Sequence, residues 1–87
     1  MTNQLQSDMR PFFMDLWTEH HFRADIVARV AGVSEATVLA MLRYQAVEAT
    51  EAAKILSILS HLYQRRYTLE TVQVKLVEEE YSSRKRK

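Results

Sequence analysis

The sequence predicts a compact all-α domain, and three observations carry that prediction. Glycine and proline occur once each in 87 residues, as Gly32 and Pro11, too few for the repeated turns of a small barrel or sandwich. Apolar residues recur at helical spacing, most cleanly at Ala52, Ile55, Leu56, Leu59, Leu62 and Tyr63. Hydrophobic residues make up 47% of the chain and charged residues 26%, a globular balance that supports one core at this length.

The elements follow in order. Asp8 is suited to cap a first helix over 9–21, because Pro11 then falls in the first turn, where a missing amide costs little. Met9, Phe12, Phe13, Leu16 and Trp17 form its apolar stripe, and Phe22 closes the segment with a ring that reads as buried. A second helix spans 24–31, with Ile26, Val27, Val30 and Ala31 as its apolar face. Gly32 then stands where a helix ends in a left-handed residue that needs no Cβ. Ser34 is a good cap for a third helix over 35–43, whose inward residues are Val38, Met41 and Leu42. The fourth helix covers 49–64. Thr68 is placed to cap a fifth, where two periods compete: Leu69, Val72, Leu76 and Val77 fit a helix, while Val72, Val74 and Leu76 fit a strand. A short helix over 69–73 followed by an extended segment is the expectation. Residues 1–81 then form one domain, and 82–87 a solvated basic tail.

Charge is unevenly placed along the chain. The formal net charge is +1, yet Arg84, Lys85, Arg86 and Lys87 alone carry +4, and Glu78, Glu79 and Glu80 carry −3. Residues 1–77 are therefore neutral, with eight basic and eight acidic side chains. Any attraction to nucleic acid through net charge comes from the tail.

Other classes fall away on counts and spacing. Without cysteine there is no disulfide framework, thiolate metal site or cysteine nucleophile. No run of ~18 apolar residues spans a membrane, and the N-terminus lacks the basic start and apolar core of a signal peptide, so a cytoplasmic protein is expected. His20 and His21 are adjacent in a helix and point about 100° apart, so they do not share a metal. No nucleophile–base pair, phosphate-binding glycine loop or paired carboxylate cleft is visible. Neither an enzyme nor a cofactor is expected.

The most specific pattern lies at about 24–43. Two helices crossing steeply through a tight turn need a small residue where they meet, a residue tolerant of positive φ in the turn, and apolar residues that lock the second helix down. Ala28, Gly32, Val33, Val38 and Met41 meet these demands together. Here the chain resembles the Cro/repressor (XRE-type) helix–turn–helix family, with its lambda-repressor-like fold. Leu16 and Phe22 look like that family's first-helix anchors, residues 47–56 resemble its fourth helix, and 67–72 resemble the start of its fifth. The resemblance implies five helices with the helix–turn–helix at helices 2–3.

The resemblance also implies a function: a sequence-specific DNA-binding transcriptional regulator, non-enzymatic, with the third helix in the major groove of double-stranded DNA. Ser34, Glu35, Ala36, Thr37, Leu39, Ala40 and Arg43 would face the groove. The hydroxyls of Ser34 and Thr37 suit phosphate oxygens, and Arg43 suits a guanine or a phosphate. Arg23 and Arg29 would approach the backbone from the second helix, and Arg84–Lys87 would add affinity for any sequence. Two departures stand out. Ala24 occupies a place where the family commonly has a polar residue, often glutamine. The third helix is also poor in donors: Ala36, Leu39 and Ala40 have none, and Glu35 repels phosphate, although apolar groups do pack on thymine methyls.

Homodimerisation is expected through helix 5 and residues 72–81, because Val74, Leu76, Val77 and Tyr81 exceed what one small core needs. The alternative function is a helix–turn–helix-fold protein-interaction module (an antitoxin, adaptor or anti-repressor) whose face is Ala36, Leu39 and Ala40. The run Tyr63-Gln64-Arg65-Arg66-Tyr67 has the residue types of a nucleic-acid surface. Its other reading, which we prefer, has Tyr63 packed on helix four and both arginines solvated.

Overall fold

The protein is described by a computed structural model over residues 9–77, in which the chain forms four helices: α1 (Phe13–His20), α2 (Ala24–Ala31), α3 (Glu35–Leu42) and α4 (Ala49–Tyr63). Asp8, Tyr81 and the tail at 82–87 lie outside the described residues. α4 supplies much of the fully buried core. Its Ala52, Ile55, Leu56 and Leu59 are fully buried, and the cluster around them includes Phe13, Leu16, Phe22, Val27, Ala28, Val38, Met41 and Val72.

α1 begins at Phe13, not at 9. A residue preceding proline is disfavoured in helical conformation, which keeps Arg10 out of the helix. The backbone around Pro11 is instead extended and paired. Gln73 donates its backbone N–H to the Pro11 carbonyl at 2.8 Å and its side-chain amide to the Arg10 carbonyl at 2.7 Å. Phe12 then occupies the cap position, and the Asp15 carboxylate accepts from its N–H at 2.8 Å. That bond supplies the capping contact that the Phe12 ring cannot make. The helix ends at His21, in left-handed conformation with φ 54°.

α2 and α3 are joined by the three residues Gly32, Val33 and Ser34. Gly32 adopts φ 76°, and both its N–H and that of Val33 donate to the Ala28 carbonyl, at 2.9 and 3.0 Å. That satisfies the otherwise orphaned carbonyl at the end of α2. Ser34 caps α3 as expected, its Oγ accepting from Thr37 N–H at 3.2 Å. The apolar face predicted for α2 is corrected. Val27 and Ala28 are the buried pair, Ala31 is half-buried, and Ile26 and Val30 are 40% and 60% exposed. In an eight-residue helix wedged against both α3 and α4, only the two residues at the junction go inward.

The expected fifth helix is also corrected. Thr71 and Val72 both donate backbone N–H to the Thr68 carbonyl at 3.0 Å, but the coil stops after that single turn at 69–71. From Gln73 the chain is extended, as anticipated. Isolated parallel bridges pair Gln73 with Phe12 and Leu76 with Val47. Val47 N–H donates to the Lys75 carbonyl at 3.0 Å and Val77 N–H to the Val47 carbonyl at 2.9 Å. The period of two prevails because residues 11 and 47 offer the backbone partners that a further helical turn would have had to supply from within. This segment also uses apolar groups on which the dimer expectation rested. Val72 is fully buried, and Val74 and Leu76 pack against the chain's own core, leaving Val77 open at 41%.

The run Tyr63–Tyr67 ties α4 to α1. His20 stacks on Tyr63 with ring centroids 3.8 Å apart, and its Nε2 lies 3.0 Å from the Tyr67 hydroxyl. Arg65 pairs with Glu19 at 3.1 Å on the surface. Burial raises the Tyr67 pKa, with Arg65 partly offsetting the effect. A hydroxyl harder to ionise in the folded than in the unfolded chain contributes stability that is intact below the ordinary tyrosine value of about 10 and is lost as pH rises through the folded value. Thermal melts from pH 8 to 11 should therefore show a steeper alkaline decline for the wild type than for Tyr67→Phe. Parallel declines would show that Tyr67 contributes nothing to the alkaline limb.

Candidate nucleic-acid interface

The open surface of α3 follows from its helical phase. Val38 and Met41 go inward, Leu42 packs against the core, and Glu35 and Ala36 are exposed. Ala40, expected on the open face, also packs against the core. Leu39 is half-buried but, unlike Ala40 and Leu42, does not pack against the core cluster. Arg43 follows as the C-terminal cap of α3, with an exposed side chain that has no partner among the described residues.

The two hydroxyls expected to meet phosphate are engaged within the fold. Thr37 Oγ1 donates to Glu51 Oε1 at 3.1 Å, and Ser34 Oγ lies 3.1 Å from Thr37 Oγ1. The single Thr37 hydroxyl proton is committed to Glu51, so Ser34 donates to Thr37. A chain of bonds runs from Ser34 through Thr37 to the half-buried carboxylate of Glu51 on α4. Glu51 carried no mark in the sequence, since its bond joins residues 14 apart on different helices.

This arrangement predicts coupled stabilities. Thr37→Val and Glu51→Ala should each cost on the order of 1 kcal/mol, and the double variant distinctly less than their sum. A double-mutant cycle by urea unfolding measures this. Simple additivity would mean that the bond carries no energy.

The remaining candidate cations divide. Arg23 is forked onto Asp25 at 2.9 and 3.2 Å, and its guanidinium holds the Asp25 carboxyl below the usual carboxylate range. Arg29 is exposed, with no partner among the described residues. Arg84, Lys85, Arg86 and Lys87 lie outside the described residues. Directly after Arg43, Tyr44 sits at φ 57° and is 45% exposed, edge-on to Phe12 at 5.2 Å. The adjacency of Arg43 and Tyr44 is the sequence signal for this basic–aromatic corner.

No family model matches the chain, and comparison with curated proteins and with solved structures finds no match. Among the described residues, no three or more His, Asp or Glu side chains come together as metal ligands, and no helix is long and apolar enough to cross a membrane.

Proposed function

We propose that this chain is a non-enzymatic, sequence-specific DNA-binding transcriptional regulator that lays α3 in the major groove. The observation that supports this reading is the α2–α3 pair. A three-residue turn with Gly32 left-handed and Ser34 capping sets two short helices against each other. On the arc of α3 that bears Glu35, Ala36, Leu39 and Arg43, all but the half-buried Leu39 are exposed. Recognition helices of helix–turn–helix proteins contact base edges in this manner, and a dimer would read half-sites roughly 34 Å apart.

The chain from Ser34 through Thr37 to Glu51 favours a second reading. With both hydroxyls committed, the α3 face becomes more apolar, as suits a protein-interaction module such as an antitoxin, adaptor or anti-repressor. Selection of duplexes from a random pool at ~150 mM salt, where nonspecific phosphate contacts are weakened, separates the two. Full-length chain and a version ending at Ser83 should both recover one inverted repeat. Recovery of no sequence by either chain would transfer the α3 face to a protein partner.

A further inference from the structure

We infer that the half-site read by α3 is marked by a thymine methyl group and a cytosine about two base pairs from it, with Leu39 and Glu35 as the residues that discriminate them. The inference rests on the DNA-binding reading above and adds the bases recognised. At about 3.6 residues per turn, Glu35, Ala36, Leu39 and Arg43 all fall within roughly 100° of arc. Their chemistry changes along the helix: an acceptor first, then a methyl and an isobutyl group, then a guanidinium.

The hydroxyls that could read several bases are excluded from this list by the structure. Thr37 is committed to Glu51 and Ser34 to Thr37. What remains discriminates sharply. A carboxylate accepts from the cytosine N4 amino group, which is the donor that suits it in the groove, and is repelled by the guanine and thymine acceptors. Glu35 is exposed and forms no side-chain bond among the described residues, so its carboxylate is available.

Leu39 is the large aliphatic group of α3 that does not pack on the core, and the thymine C5-methyl is the apolar feature of the major groove. The two residues are one turn apart, about 6 Å along the helix, which corresponds to about two base-pair steps. Ala36 lies on the same arc and leaves room for the methyl. Arg43, about 12 Å from Glu35, completes the register on a guanine or a phosphate.

The test changes the DNA before it changes the protein. In the duplex recovered by selection, each thymine is replaced singly by deoxyuridine, which removes one methyl group and leaves pairing intact. The wild-type chain should bind about fourfold more weakly at one or two positions, the loss that corresponds to one buried methyl group. That penalty should shrink toward onefold with Leu39→Ala, a substitution outside the core and so compatible with folding. Repeating the selection with Glu35→Gln should shift the preference at one position from cytosine toward adenine. A selected duplex indifferent to every deoxyuridine, and unchanged in sequence for Glu35→Gln, overturns the inference while the DNA-binding reading stands. Failure to select any duplex overturns both.

Discussion

Leu56→Ala is expected to remove a large part of the chain's folding stability. Leu56 is fully buried at the centre of α4, within the core cluster. Removing the side chain costs its transfer energy plus a cavity term, about 2–5 kcal/mol in sites of this kind. A domain this small sits near the low end of the usual ~5–15 kcal/mol. At about 4–8 °C per kcal/mol, the melting temperature should fall by roughly eight degrees or more. Circular dichroism melts measure this, with Leu62→Ala as the comparison. Leu62 lies on the same helix but is 55% exposed, and its truncation should stay within about 0.5 kcal/mol of wild type. Equal losses for the two variants would show that α4 does not bury the face described.

The second large effect is on binding. Arg43→Ala should weaken the selected duplex by about 1–3 kcal/mol, roughly 5- to 150-fold, and relax the preference at one base position. Stability should hardly change, because the guanidinium makes no bond among the described residues. Titration against the selected duplex and a scrambled one separates two roles. Loss confined to the selected duplex marks a base contact, whereas equal loss on both marks a phosphate contact. Arg29→Ala, expected to act on backbone alone, should weaken both duplexes alike and reduce the salt slope. If Arg43→Ala changes nothing on DNA while Leu39→Glu abolishes a protein complex, the regulator reading gives way to the interaction module.

The α2–turn–α3 unit and α4 were legible because their instructions are local. Gly32 accepts a left-handed φ, Ser34 caps the amides that follow it, and the 52–63 pattern repeats with the turn of a helix. Elsewhere two local codes competed. Residues 72–77 satisfied both a helical and a strand period, and only the presence of Pro11 and Val47 alongside decided for extension. The start of α1 moved for the same reason, since Gln73 holds the carbonyls of Arg10 and Pro11 in an extended segment.

The candidate site shows the same division. Exposure of Glu35, Ala36 and Arg43 could be read from the phase of the third helix. The engagement of Ser34 and Thr37 could not, because their final acceptor, Glu51, belongs to another helix. Likewise nothing in the spacing of Ile26 and Val30 shows that they stay open while Ala40 turns to the core. The amino-acid sequence by itself determined an all-helical chain, three of its helix positions and the turn between α2 and α3. These depend on backbone propensities and caps acting within a few residues. Tertiary structure alone decided that Ile26 and Val30 stay open, that Ala40 turns to the core and that the Ser34 and Thr37 hydroxyls are engaged, because burial and hydrogen bonding there depend on what lies across the gap between elements.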